Sequence, residues 1–455
     1  MIKVALHNLG CKVNSYELEV MQQKLQEKGY DIVPFDAEAD IYIVNTCTVT
    51  NIADRKSRQM LHRAKQRNPK ALVVAVGCYV QTGLDAIEKD GSVDLVVGNN
   101  RKRDIVEILE KYLAGKDVAL QDKTLGDTTV LDIGNTREYE EMQLERTAEH
   151  TRAYIKIQDG CNQFCSYCAI PLARGRVRSR NVEDILREIK GLTKAGYREV
   201  VLTGIHISSY GIDFGQCQGN NDGSRLLELI EEIHEIESLE RIRLGSLEPR
   251  IITEESAKRL AVLPKLCPHF HLSLQSGCDE TLKRMNRHYT TGEYYHSVEL
   301  LRAAFPHPAI TTDVIVGFPG ETEEEFARTK AFLHKVHFYE MHVFKYSRRA
   351  GTRAADMPEQ IPDQVKAARS NELLQLERQQ SASFREYYIG KEVSILLEEI
   401  KEIGNAAYIL GHTKDYVKIA VPCPENSPFP DTGEFLKVIP TQVLRDDILL
   451  GKQCT

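Results

Sequence analysis

Four short apolar runs, at residues 3–6, 41–44, 72–76 and 95–97, alternate with stretches in which apolar side chains recur every three or four positions. Strand and helix in repeated alternation predict an α/β domain with an open parallel sheet covered by helices. The first helical stretch sets Leu18, Met21 and Leu25 on one face and leaves Glu17, Glu19, Gln22 and Lys24 outside. A second series of runs, at 153–157, 200–203, 241–244, 269–274, 310–316 and 341–344, is separated by helical patterns clearest at 182–194, 226–236 and 323–336. Six β/α repeats predict a partial (β/α)6 barrel whose site lies at the carboxyl ends of its strands. After a long helical pattern through Arg385, alternating strands with Gly and Pro turns predict a small β-barrel. The expected division is residues 1–118, a polar, acid-rich connector at 119–145 whose beginning is ordered against a neighbour, a barrel core at 146–376, and a helix with the β-barrel at 377–455.

Composition narrows this picture. With 455 residues and 42% hydrophobic content the chain can bury several cores. It has no apolar run near the roughly 18 residues of a membrane span. MIKVALHNLGC could pass for a lipoprotein signal, but its apolar run is short and broken by His7 and Asn8; it reads as a strand, and the expected location is cytoplasmic. Eleven cysteines without an export signal imply reduced thiols free for metal or catalytic use. A net charge of -7 opposes indiscriminate polyanion binding, so neither DNA nor membrane is an expected partner and any RNA contact must come from local basic patches.

Cys161, Cys165 and Cys168, in GCNQFCSYCAIPLARGRVRSR (160–180), lie four and three positions apart. Three thiolates in one loop can grip a cubane iron-sulfur cluster and leave one iron open to a small molecule. Structural zinc would need a fourth ligand nearby, and a disulfide framework suits short secreted domains. Cys11, Cys47 and Cys78 each follow a predicted strand of the first sheet, at the edge where open α/β sheets bind ligands. They form a second three-thiol set, the alternative being three small buried core cysteines. Cys217, Cys267, Cys278, Cys423 and Cys454 lack ligand spacing and are expected to be structural or incidental, and His206, His271 and His342, on or beside strands, read as core residues.

Two basic runs stand out. RKSRQMLHRAKQRNPK (55–70) holds no acid, and helical spacing gathers Arg55, Arg58 and Arg63, or Lys56, Arg63 and Arg67, toward one face, fit for RNA phosphates or simply for water. Arg174, Arg176, Arg178 and Arg180 alternate; in an extended segment they would share one side beside the cysteine loop, facing substrate or pairing with Glu183 and Asp184.

C-x3-C-x2-C with aromatics before the second and third cysteines resembles the radical S-adenosylmethionine (SAM) enzymes. That resemblance implies that the open iron chelates SAM and that the reduced cluster cleaves it to methionine and a 5'-deoxyadenosyl radical. LGCKVNSYE, NTCTVT, GCY, HLSLQSG with MNRHYT, and DVIVGFPGETEEEF resemble the methylthiotransferases, and the C-terminal region resembles the OB-like TRAM module of tRNA-modifying enzymes. This TRAM-like region carries seven Lys and Arg against ten Asp and Glu from residue 389 onward, so nonspecific phosphate binding there should be weak. The resemblance implies two [4Fe-4S] clusters, on Cys161, Cys165 and Cys168 and on Cys11, Cys47 and Cys78. It further implies SAM contacts at the strand ends, at Phe164, Gly204, Glu248, Gln275 and Gly317, and an electron donor such as flavodoxin or ferredoxin. GIHISSYG and RLGSLEP are most similar to the members acting on N6-threonylcarbamoyladenosine at position 37 in the anticodon stem-loop of tRNA; isopentenyladenosine-37 and a ribosomal-protein aspartate are the alternatives.

Overall fold

The computed structural model describes residues 1–115, 129–146, 151–215, 222–423 and 431–454. The first sheet runs β1 (Lys3–Asn8), β2 (Asp31–Val33), β3 (Ile41–Thr46), β4 (Leu72–Gly77) and β5 (Leu95–Val97), in the order β2-β1-β3-β4-β5 with every pairing parallel. β3 and β4 are buried along their whole length, as near-continuous apolar runs with helices on both faces must be. β2 carried no signal in the hydrophobic pattern: it is three residues long and half-exposed on the sheet's edge.

The central unit comprises β6 (Ala153–Asp159), the short β7 (Arg178–Ser179) antiparallel to it, β8 (Glu199–Gly204), β9 (Arg241–Leu244), β10 (His269–His271), β11 (Ala309–Val316) and β12 (Glu340–Lys345). β6, β8 and β9 pair in parallel, as do β10, β11 and β12. Isolated bridges Ile242–Leu266 and Leu247–Leu272 join the two sets. Six parallel strands in chain order thus form the expected partial barrel. The long helix Asp363–Glu386 packs along β12 and leads into a closed barrel of β13 (Val393–Ile403), β14 (Ala406–His412), β15 (Lys418–Pro422), β16 (Phe435–Arg445) and β17 (Ile448–Gln453), in the order β13-β14-β15-β17-β16.

Helix α1 (Lys12–Glu27) departs from its expected exposure. Glu17 and Glu19 are buried, because the face away from the first sheet is covered by the central unit. Tyr16 donates from its hydroxyl to the Met142 carbonyl at 2.6 Å and to Glu188 at 2.9 Å. Glu17 pairs with Lys102, Lys156 and Arg174. Of the connector, residues 119–128 lie outside the described residues, and with them the beginning expected to be ordered; residues 129–145 pack between the units, with Ile133, Met142 and Leu144 buried.

The small barrel sits at the amino-terminal end of the partial barrel. Arg241 donates to the His412 and Ser394 carbonyls and Arg243 to those of Lys414 and Thr413, while Glu199 pairs with Arg243 at 2.8 Å. Tyr416, at φ 70°, forms part of the floor of the barrel's interior.

Candidate functional site

The first cysteine set is a product of three neighbouring strand ends. β1, β3 and β4 are adjacent, so Cys11, Cys47 and Cys78 emerge side by side. Gly10 has φ 111°, and a Cβ there would press on Cys47 Cβ and Sγ at 3.1 Å, which shows how closely the two loops approach. Asn14 binds them together, its amide donating to the Leu9 carbonyl at 2.6 Å and the Thr46 carbonyl at 3.0 Å. Desolvation raises the Cys11 thiol and pushes Cys47 up to about 11; the charge of Cys78 raises both further, and that of Cys11 raises Cys47. Arg174 Nε lies 3.3 Å and Asn99 Nδ2 3.5 Å from Cys78 Sγ.

The second set is local and is braced from outside. Cys161 donates its N–H to the Gly175 carbonyl, and Cys168 to that of Cys165, both at 3.0 Å. Gly160 has φ 70°, and a Cβ there would run into the Arg176 carbonyl, so only glycine lets the two arms of the loop meet. Residues of the MNR motif hold the loop: Ser166 donates to the Met285 and Arg284 carbonyls, Asn286 to the Phe164 carbonyl at 3.0 Å, and Arg287 to Cys165 Sγ at 3.2 Å. Burial pushes Cys161 up to about 11 and Cys168 to about 12, and the charge of Cys165 raises both. Buried, mutually repelling thiols become thiolates only beside a strongly cationic centre. Neither set has a fourth cysteine beside it among the described residues. Both donor sets therefore fit a cubane cluster with one open iron.

Two adjoining cavities meet these sets. One, of about 220 Å³, is lined by Tyr167, Cys168, Gln275, Asp313, Phe344 and neighbouring residues, with Val49 and Thr50 closing it from the N-terminal domain. The other, of about 630 Å³, is the interior of the partial barrel. It begins at Gly10, Cys11 and Lys12, passes Gly204 and the histidines His269, His271 and His342, and ends at Tyr416. Asp313 and Phe344 line both.

Of the residues expected at the strand ends, Gln275 lines the smaller cavity at φ 71° and Gly204 the larger. Glu248 lines neither: it is buried, accepts from Gln163 of the cysteine loop at 3.1 Å and faces His206 at 3.3 Å. Against the upward pull of burial, His206 with Arg287 and Arg250 lowers its carboxyl to about 2. Gly317 also lines neither, packing under Lys366 with its N–H on Glu321 at 2.6 Å. Phe164, at φ 50°, is exposed, with Arg176 4.4 Å above its ring.

The alternating arginines need correction. Arg176 is exposed, but Arg174, Arg178 and Arg180 are fully buried and cannot face RNA. The segment is not one extended strand: Ile170–Arg174 is a helical turn and Gly175 reverses the chain at φ 68°. Arg174 turns inward to Glu17 at 2.8 Å and Asp159 at 3.0 Å, Arg178 donates to the Arg174 and Arg176 carbonyls, and Arg180 pairs with Glu188 and Glu141. The following helix contributes Glu188, not Glu183 or Asp184. Arg55, Arg58 and Arg63 are exposed on helix α2 (Asn51–Arg67), with Arg58 donating to the Tyr79 hydroxyl at 2.8 Å and Arg63 paired with Asp36 at 2.6 Å.

The histidines read as core residues also need correction. His271 and His342 line the larger cavity, stacked with ring centroids 5.8 Å apart, and His271 lies 3.3 Å from Asp313. Lys12 went unnoticed in the sequence. It lines the same cavity, and desolvation, then Arg243 and Arg152, lowers its pKa to about 8. The signal was the K of LGCKVN, one position past a predicted ligand. Cys267 and Cys278 are buried away from both sets, Cys423 and Cys454 lie in the C-terminal barrel, and Cys217 lies outside the described residues.

Residues 155–333 match the Radical SAM superfamily and residues 3–98 the Uncharacterized protein family UPF0004. Over 420 residues the chain is 40% identical to the "Threonylcarbamoyladenosine tRNA methylthiotransferase MtaB" of Bacillus subtilis (strain 168), covering 92% of this chain and 90% of that protein. The chain belongs to the radical SAM methylthiotransferase family. A further methylthiotransferase relative, the "tRNA-2-methylthio-N(6)-dimethylallyladenosine synthase" of Acetivibrio thermocellus, is 34% identical over 411 residues, covering 89% of this chain and 82% of its own length. The radical SAM methyltransferase TsrM of Kitasatospora setae shares the fold at TM-score 0.58 and 15% identity, covering 77% of this chain and 73% of its own. The cofactors of the radical SAM methylthiotransferases are SAM and [4Fe-4S] clusters, and no helix among the described residues is long and apolar enough to cross a membrane.

Proposed function

We propose that this enzyme converts N6-threonylcarbamoyladenosine at position 37 of tRNA to its 2-methylthio form, using two SAM and two clusters. The observation that carries this reading is the pair of three-thiol sets bordering two adjoining cavities, in a chain 40% identical to a protein named for that reaction. Cys161, Cys165 and Cys168 would hold the SAM-binding cluster and Cys11, Cys47 and Cys78 the auxiliary one. Bound there, the cofactors supply radical chemistry for a C–H bond that offers no acidic proton to a base.

The chain's own residues do the positioning. Ser166, Asn286 and Arg287 fix the loop that would face SAM, and Gln275, which lines the smaller cavity, would touch it. Helix α2 starts at the mouth of the smaller cavity, anchored by Arg349 to Asp54 at 2.7 Å and to Thr48 at 2.7 Å. Val49 and Phe344 of its lining are exposed apolar side chains, as are Ile52 at the start of helix α2 and Phe164 and Leu172 of the cysteine loop, and Arg55, Arg58, Arg63 and Arg176 are exposed to meet phosphates. An apolar rim with flanking cations suits an unstacked base from a single-stranded loop. The C-terminal barrel, as a TRAM domain, would then contribute by shape more than by charge. An electron donor such as flavodoxin or ferredoxin would reduce the cluster, and a tRNA substrate fits a cytoplasmic enzyme.

Mass spectrometry of nucleosides from bulk tRNA, with and without this gene, tests the reading. Loss of the methylthio group from threonylcarbamoyladenosine alone is the expected result; an unchanged profile, or loss from isopentenyladenosine instead, overturns it. Substituting alanine for Cys161, Cys165 and Cys168 together should halve the iron of the reconstituted protein. Loss of all the iron would overturn two independent sites.

A further inference from the structure

The larger cavity carries Lys12, His269, His271, His342, Asp313 and Glu340 in its wall, an unusual set of ionisable groups for a barrel interior normally filled with branched apolar side chains. It runs from the auxiliary cysteines, where Cys11 lines its upper end, down to Tyr416. It shares Asp313 and Phe344 with the smaller cavity, so a base held at their junction could extend a substituent into this lumen.

Its charges are unevenly satisfied. Asp313 faces His271 at 3.3 Å, and Glu340 interacts with His342 and is kept toward its neutral form by burial. Lys12 is different. Its side chain is exposed within this space, and among the described residues its ammonium forms no ion pair or hydrogen bond. With imidazoles below it, it is a cation awaiting an anion. A hydrocarbon substituent would leave these groups desolvated and unpartnered, whereas one ending in a carboxylate would satisfy them.

We propose that the barrel lumen is the specificity pocket for the substituent on the target adenine, and that Lys12 recognises a carboxylate at its end. This rests on the substrate reading above and deepens it: threonylcarbamoyladenosine bears that carboxylate and isopentenyladenosine has none.

The test uses the reconstituted full-length enzyme and anticodon stem-loops carrying threonylcarbamoyladenosine, its methyl ester, or isopentenyladenosine, with both equilibrium binding and kcat/KM measured. Wild type should bind the acid about 10- to 100-fold more tightly than the ester, the span expected for one charge-assisted contact. Lys12→Met should erase the preference chiefly through KM, and Lys12→Arg should retain part of it. Equal binding of acid and ester by wild type, or an undiminished preference in Lys12→Met, would overturn the proposal while leaving the substrate reading standing. A wild-type enzyme that modifies only the isopentenyl stem-loop would overturn the substrate reading itself. Should Lys12→Met lose iron because it adjoins Cys11, the acid-against-ester comparison in wild type decides alone.

Discussion

Two arginine-rich segments of similar composition end in opposite environments. Helix α2 keeps Arg55, Lys56, Arg58 and Arg63 in water, whereas the segment after the cysteine loop sends Arg174, Arg178 and Arg180 into the interior. The difference lies in what packs against each. Helix α2 buries only Ser57, Leu61 and Ala64, one narrow stripe on its own sheet. The second segment lies where the first sheet docks on the barrel, and carboxylates from both units, Glu17 and Asp159, converge on Arg174. A run of like charge is thus a binding surface only where no second unit covers it.

The largest effect should come from breaking the covered side. Arg174→Met leaves Glu17 and Asp159 under-compensated and should cost about 3–5 kcal/mol, as removal of one member of a buried ion network does. Urea unfolding followed by circular dichroism would show it. A loss below 1 kcal/mol would mean that this network is not what joins the units.

The same kind of network closes the barrel floor, and acid should loosen it next. Burial raises Glu199, but Arg243 and Arg152 outweigh burial and hold its carboxyl at about 2. A folded pKa below the unfolded one means that the stabilisation is complete above about pH 4.5 and fades as pH falls toward 2, about 3 kcal/mol in all. Urea midpoints between pH 7 and 3 should fall less for Glu199→Gln than for wild type across that window.

On the exposed side, stability and binding should separate. Arg55→Ala with Lys56→Ala should change stability by less than about 0.5 kcal/mol. It should weaken tRNA binding and make the dependence of log affinity on log salt shallower by about 1.4 to 1.8, two phosphate contacts' worth. An unchanged salt slope would remove helix α2 from the RNA interface. Smallest of all, Asp36→Ala breaks an exposed pair with Arg63 at 2.6 Å and should shift stability by about 0.2 kcal/mol, the low end for such pairs. By freeing Arg63 it should tighten tRNA binding slightly.

How much of this was legible depended on the range of the interaction. Cys161, Cys165 and Cys168 share one loop, so spacing alone brought them together, and the strand-end rule gathered Cys11, Cys47 and Cys78. The arginines were misread because alternation was taken for an extended strand; Gly175, with its positive φ, breaks that strand. Glu17 was placed outside because its helix was weighed alone, without the unit that covers it. Lys12, His271, Asp313 and His342 come from four separate elements, and no periodicity within one element connects them.

By itself the sequence determined the order of strands and helices, the parallel sheets, the small barrel and the two cysteine sets, because each follows from local periodicity or from a rule about strand ends. Only the tertiary structure decided which charges face water, which carboxylates meet the buried arginines, and that ionisable side chains gather in the barrel interior with Lys12 unpaired among the described residues. Those outcomes depend on how one unit packs against another. The desolvation and pairing of a charge are set by neighbours as much as 301 residues away, as for Arg349 and Thr48, which local pattern does not encode.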